Sequence, residues 1–124
     1  MLLTYGVPEG IDEETILRIS TAFGSGFVEQ GEVCGSVTGV VMAIGLKYGM
    51  TKVGDSKAAI KTYELGQKFI NKFKERNGTI KCKELLGYDI IRPPRIRIAL
   101  EMQLSKELCP DFVRAAAEIL EEIL

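Results

Sequence analysis

The chain alternates apolar stripes with polar faces at a helical period over most of its length. Residues 11–23, 56–77 and 110–123 each carry apolar side chains three and four positions apart, with charged residues between them. This spacing is typical of helices that bury one face. Residues able to cap a helix stand before the first two stripes, at Asp12 and at Asp55 or Ser56. The pattern therefore predicts three amphipathic helices.

The stretch from Phe23 to Gly49 has a different pattern, because a glycine-rich loop is followed by residues that are apolar on nearly every side. Small residues recur in it at a spacing of four: Gly35, Gly39 and Ala43. Such a row lets another backbone approach closely, which offsets a helix-propensity cost of roughly 1 kcal/mol per glycine. The apolar run ends at Lys47, short of the roughly 20 residues that a membrane span needs. We predict a buried central helix beginning near residues 32–34.

The remaining stretches predict shorter elements. Leu2–Tyr5 is typical of the last turn of a helix, and residues 79–87 predict one short helix closed by a glycine. Residues 88–104 contain two adjacent prolines and predict a loop with a ragged helix. Together the elements predict an all-α bundle of about four to five helices around the central glycine-rich helix, in one domain over 1–124. We expect the first helix to begin upstream of this sequence.

Composition narrows the classes of function. The 124 residues carry 16 basic and 17 acidic side chains, which predicts neither a nucleic-acid partner nor a membrane surface. The N-terminal residues do not resemble a signal peptide, so a cytoplasmic location is expected. With 46% hydrophobic residues and an incomplete first helix, apolar surface should be left uncovered. We therefore expect a homodimer.

The chain has no histidine, which leaves thiols and carboxylates as candidates for chemistry. Its three cysteines are predicted at helix N-termini: Cys34 in the first turn of the central helix, Cys82 near the start of the short helix, and Cys109 at the N-cap before Pro110. Backbone N–H groups at such positions favour the reactive thiolate. If these three helices begin at one end of the bundle, the cysteines should converge. Packing by three small apolar residues is the simpler alternative.

The motifs FGSGF, GEVCGSVTGVVMAIGLKYG, FKERNGTIKCKELLGYDI and LCPDFVRAAAEILEEIL, in this order, resemble the redox-active family named for its C, GCAxxG, C, C pattern. The resemblance covers nearly the whole chain and maps the last three cysteines of the family onto Cys34, Cys82 and Cys109. It implies a small helical protein with thiol redox or metal chemistry, and a related domain in multihaem cytochromes implies electron transfer. One additional residue separates Cys34 from the closing Gly39, and the first cysteine of the family is missing. We expect that cysteine in a helical segment encoded upstream.

These observations lead to three hypotheses of function. The first is a thiol oxidoreductase in which Cys34 is the central thiol, Cys82 and Cys109 are its partners, and the redox partner is unknown. The second is an electron-transfer module in which the thiolates of Cys34, Cys82 and Cys109 hold a metal or an iron–sulfur cluster. The third is a non-catalytic helical interaction protein whose cysteines only fill space.

Overall fold

A computed structural model of the protein describes residues 1–87 and 106–124. Within this part the chain forms six helices, four of them seven residues or longer, so the predicted all-α fold is confirmed. The helices are α1 (Leu2–Gly6), α2 (Glu13–Thr21), α3 (Gly35–Tyr48), α4 (Ser56–Asn77), α5 (Cys82–Leu86) and α6 (Cys109–Ile123). The loop and ragged helix predicted for residues 88–104 lie outside the described residues.

Helix α3 lies at the centre of the fold, as its apolar sequence predicts. It packs against α1, α4 and α6. The largest fully buried side chains come from α3, α4 and α6: Val37, Val40, Ile44, Phe69, Phe73 and Leu120. The start of the chain packs closely against the row of small residues on α3. A Cβ added at Gly39 would lie only 3.3 Å from the Cβ of Met1. Glycine at this position therefore permits a close approach to α3.

Helices α4 and α6 pack against each other through apolar side chains, with ion pairs at the edge of the contact. Phe69 of α4 is fully buried. At the edge, Lys72 pairs with Glu122 at 3.3 Å, and Arg76 pairs with Glu118 at 2.6 Å. Exposed pairs of this kind contribute about 0–1 kcal/mol each. The apolar side chains therefore supply most of the stabilisation between these two helices.

The predicted caps are present at the N-termini of α2 and α4. The Asp12 carboxylate accepts hydrogen bonds from the backbone N–H and the hydroxyl of Thr15, at 2.9 and 2.7 Å. These bonds lower the pKa of Asp12, because they stabilise its charged form. Asp55 caps α4 by accepting a hydrogen bond from the backbone N–H of Ala58 at 3.2 Å. Among the helices of residues 1–87 and 106–124, none is both long and apolar enough to cross a membrane.

Candidate functional site

Each of the three cysteines lies at or next to a helix N-terminus, as the sequence predicted. Cys34 is the N-cap of α3, where the sequence placed it in the first turn. Cys82 is the first residue of α5. Cys109 is the first residue of α6, where the sequence placed it at the cap. The short helix begins at Cys82 and not near residue 79 as predicted, and the three cysteines lie at the starts of three different helices.

The three cysteines line a single cavity of about 410 Å³. They come from the starts of α3, α5 and α6, and Cys34 and Cys109 lie far apart in the sequence. The rest of the lining comes from the loop after α2 and from these same three helices: Gly24, Ser25, Gly35, Ser36, Leu86 and Val113. The cavity thus brings together the three residues that the sequence singled out, and no charged side chain lines it among the described residues.

Backbone hydrogen bonds tie the start of α5 to the start of α3. The Cys34 N–H donates to the carbonyl of Ile80 at 2.8 Å, and the Cys82 N–H donates to the carbonyl of Glu32 at 2.6 Å. Between these two bonds, Val33 and Lys81 form an isolated antiparallel bridge. Because the donors are the backbone N–H groups of Cys34 and Cys82, these bonds fix the positions of the two backbones that carry the thiol side chains.

The loop that precedes α3 contains an unusual left-handed turn. Five consecutive residues have positive φ angles between 43° and 66°: Ser25, Gly26, Phe27, Val28 and Glu29. A left-handed conformation costs roughly 1–2 kcal/mol per residue with a Cβ. Hydrogen bonds offset part of this cost, since the Gly31 N–H donates to Ser25 O at 3.1 Å and the Val28 N–H to Ala22 O at 2.9 Å. The turn therefore holds strain directly beside the cysteine cavity.

Within this turn, Gly26 lies close to Cys82. A Cβ added there would lie 2.9 Å from the Cβ of Cys82 and 2.5 Å from the backbone nitrogen of Glu32. The Glu32 N–H also donates to the Gly26 carbonyl at 3.0 Å. Since no side chain fits, glycine is required for the loop to lie against the start of α5.

The Cys34 thiol is buried and contacts a hydroxyl group. Its Sγ lies 3.0 Å from the Oγ of Ser36, in a hydrogen bond that either atom can donate, and both residues are 9% exposed. The sequence predicted that backbone N–H groups of the first helical turn would act on this sulfur. In the structure the Cys34 side chain makes no capping hydrogen bond to α3. Its hydrogen-bond partner is the side chain of Ser36.

Cys82 and Cys109 belong to a second, smaller apolar cluster. Cys82 is buried with Leu86, and Cys109 packs against this pair together with Leu108 and Phe112. Cys82 is 7% exposed, whereas Cys109 is only half-buried. All three cysteines are present as thiols. The most accessible of the three is therefore the one at the start of α6.

The metal hypothesis finds no matching arrangement in the part of the chain that the structure describes. Across residues 1–87 and 106–124, no group of three or more Cys, Asp or Glu side chains lies close enough together to hold a metal ion. As arranged here, Cys34, Cys82 and Cys109 do not form a group that could hold a metal ion.

None of the six lining residues other than the cysteines was identified from the sequence as part of a site, and Ser25, Ser36 and Val113 are three of them. Ser36 could have been found, because the side chain of an N-cap residue reaches the second and third residues of its helix. Ser25 lies in the left-handed turn, which no side-chain pattern predicts. Val113 lies in the apolar stripe predicted for residues 110–123, yet it is 47% exposed and borders the cavity.

Comparison with known protein families identifies a match to this chain. The model of the family described as "Putative redox-active protein (C_GCAxxG_C_C)" matches residues 1–123. No curated protein matches the chain, and no solved structure matches it either. The match thus covers all three cysteines together with the loop and helices that position them.

Proposed function

Because this chain belongs to the C_GCAxxG_C_C family, whose description is that of a redox-active protein, we propose that it carries out thiol–disulfide exchange. Cys34, Cys82 and Cys109 are the reacting residues in this proposal. The observation that supports it is the shared cavity, to which three separate helices contribute one thiol each. Cysteines that only fill space have no reason to share an opening of this size.

The reaction requires one external disulfide as the oxidant. The thiolate of Cys34 attacks one sulfur of that disulfide, which forms a mixed disulfide and releases the other half as a thiolate. A second protein thiol then loses its proton and attacks the Cys34 sulfur. This step releases the remaining half of the substrate as a second thiolate. Two protein thiols are thereby oxidised to one disulfide, and one substrate disulfide is reduced to two thiols.

A hydrogen bond and a difference in exposure support separate roles for Cys34 and Cys109. Cys34 is the attacking residue, because its sulfur borders the cavity and holds a hydrogen bond that can stabilise a thiolate. Cys109 is the preferred second thiol, because it is the most exposed. A disulfide that includes Cys109 can be reached by an external reductant more readily than one between the two buried cysteines.

The experiment treats the reduced full chain with a small neutral disulfide, hydroxyethyl disulfide, and then labels the remaining thiols for mass spectrometry. We expect one labelled cysteine per chain and an internal disulfide that includes Cys34. Cys34→Ser should slow the release of mercaptoethanol by at least about tenfold. Thr38→Ala, which removes an exposed hydroxyl of the same helix, serves as the control and should leave the rate unchanged.

Three outcomes would contradict the proposal. Labelling of all three cysteines after treatment would show that no internal disulfide forms. An unchanged rate in Cys34→Ser would show that another residue attacks. A visible absorbance band together with bound metal in the purified protein would instead support the metal or iron–sulfur hypothesis.

We also propose that a second copy of the chain covers the apolar face of α1 and α2. A groove of about 320 Å³ lies on this face, lined by Leu2, Ile11, Ile16, Ile19, Met42, Gly45 and Leu46. Leu17 and Ile19 are 51% and 55% exposed. Burial of this surface would favour a homodimer. Light scattering tests the proposal, since Ile19→Glu should then shift a dimer to a monomer, and a wild-type monomer would contradict it.

A further inference from the structure

We infer that Ser36 is a positioning residue that stabilises the thiolate of Cys34. The Ser36 Oγ lies 3.0 Å from the Cys34 Sγ, within the range of a sulfur hydrogen bond. Ser36 is also the one polar residue among the buried side chains of the described part of the chain. A buried hydroxyl requires a hydrogen-bond partner, and the sulfur supplies one.

The contact favours the ionised form of the cysteine over the neutral form. In the neutral pair either the thiol or the hydroxyl can donate. Once Cys34 loses its proton, only the Ser36 hydroxyl can donate, and the bond becomes charge-assisted and roughly twice as strong. Because both residues are 9% exposed, little water competes for the sulfur. The thiolate therefore gains more from Ser36 than the thiol does.

Few other groups can act on this sulfur. The backbone of α3 makes no capping bond to the Cys34 side chain. Of the described residues that line the cavity, the only titratable ones besides Cys34 are Cys82 and Cys109, one from α5 and one from α6. Neither the loop after α2 nor α3 contributes a charged side chain to the lining. Replacing the other two cysteines thus isolates the pair formed by Cys34 and Ser36.

The role of Ser36 in catalysis rests on the proposed function, but its effect on Cys34 can be measured without any substrate. The test uses the full chain with Cys82→Ala and Cys109→Ala, which add no hydroxyl to the cavity, and follows the ultraviolet absorbance of the Cys34 thiolate against pH. Ser36→Ala should raise the midpoint by about half to one pH unit. Below the midpoint, this shift corresponds to a loss of alkylation rate of about three- to tenfold.

Ser36→Thr should restore the original midpoint, because threonine keeps the hydroxyl. Its added methyl group has room, since Ser36 borders both the cysteine cavity and a second cavity of about 260 Å³. Ser36→Gly also lacks the hydroxyl and should reproduce the rise seen with alanine. Thr38→Ala is the matched control, because the Thr38 hydroxyl donates to the Gly35 carbonyl at 3.1 Å and does not reach the sulfur.

Equal midpoints in the parent chain, Ser36→Ala and Ser36→Gly would overturn the inference. A rise that Ser36→Thr fails to reverse would also contradict it, because the hydroxyl would not be the cause. The titration separates this inference from the proposed function. A protein that exchanges disulfides without showing the rise contradicts only the role of Ser36. One that shows the rise but exchanges no disulfide contradicts only the function.

Discussion

The middle of α3 and its N-terminal end are held in place by different interactions. In the middle, Val40 and Ile44 have no exposed surface and belong to an apolar core that includes Phe69 and Phe73 of α4. At the N-terminal end, Cys34 borders a cavity, and backbone hydrogen bonds to the start of α5 fix its position. Close packing alone stabilises the first region. Cys34 also belongs to this apolar core, but backbone bonds and a strained turn additionally position it beside the cavity.

This difference has a consequence for how each region responds to change. Removing a side chain from a close-packed core lowers the stability of the whole fold, because the surrounding structure fills the resulting cavity only partly. A site built on backbone bonds depends on the path of the chain, so a change of conformation there displaces the thiols. Substitutions should therefore separate the two regions, affecting stability in one and thiol geometry in the other.

The largest effect on stability is expected for Phe69→Ala in the core. Phe69 is fully buried in α4, and truncating a buried phenylalanine costs about 3–5 kcal/mol. Urea unfolding followed by circular dichroism measures the loss. Tyr63→Ala on the same helix is the matched control, since Tyr63 is 68% exposed and should change stability by less than about 1 kcal/mol. A similar loss in both variants would contradict the proposed distinction.

The next largest effect is expected for Gly26→Ala in the left-handed turn. The added Cβ would overlap the backbone of Glu32 and the side chain of Cys82, so the loop must move. We expect a loss of about 2–4 kcal/mol, which combines overpacking with the positive φ of 66°. Labelling of Cys82 should become faster as its cover shifts.

Gly54→Ala separates the cost of overpacking from the cost of a positive φ angle. Gly54 has a φ of 89°, but an added Cβ there would meet nothing within 4 Å. It should therefore show only the conformational cost of about 1 kcal/mol and leave the labelling of Cys82 unchanged. Equal losses in the Gly26 and Gly54 variants would show that the loop does not press on Cys82.

A smaller effect, of opposite sign, is expected for Val28→Gly. Val28 is β-branched, has a φ of 43° and is 61% exposed, so glycine relieves strain and removes little packing. We expect a gain of about 0.5–1 kcal/mol after the entropy cost of glycine is subtracted. Val53→Gly is the control, because Val53 is fully exposed and has no positive φ, so it should lose stability. Loss of stability in both variants would argue against strain at Val28.

The fold could be predicted largely from the sequence because its signals are local. Apolar stripes at a helical period predicted α2, α4 and α6, and a run of residues that are apolar on nearly every side predicted α3. Asp12 and Asp55 predicted the starts of α2 and α4. Burial was predicted less well where it rested on an apolar stripe alone. Tyr63 lies in the apolar stripe of residues 56–77 but is 68% exposed. A periodic pattern identifies the apolar face of a helix, but it does not indicate how far its neighbours cover that face.

The site could be predicted only in part. The positions of the cysteines followed from helix boundaries, which are local features. The left-handed turn did not, because four of its five residues have side chains that disfavour positive φ: Ser25, Phe27, Val28 and Glu29. Backbone hydrogen bonds within the loop, including those from Gly31 to Ser25 and from Glu32 to Gly26, stabilise this conformation. The contact between Cys34 and Ser36 was not predicted, because a residue at a helix N-terminus suggests backbone N–H groups as the partners of its side chain.

The smallest effect on stability is expected at Asp12, which caps α2 and lies outside both the middle and the N-terminal end of α3. Its side chain is exposed to solvent. Hydrogen bonds from Thr15 lower its pKa below the ordinary value of 3.8. A carboxyl whose pKa is lower in the folded state stabilises the fold above that ordinary value, and this contribution is lost as the pH falls through the folded pKa. Asp12→Ala should therefore be less stable than the parent protein at neutral pH, and the difference should shrink below about pH 4.

Asp12→Asn keeps a capping oxygen without the titrating group, so it should retain most of the stability at neutral pH and lose this pH dependence. Urea unfolding at several pH values measures both variants, and an Asp12→Ala difference that does not change with pH would show that the carboxylate charge has no part in the cap.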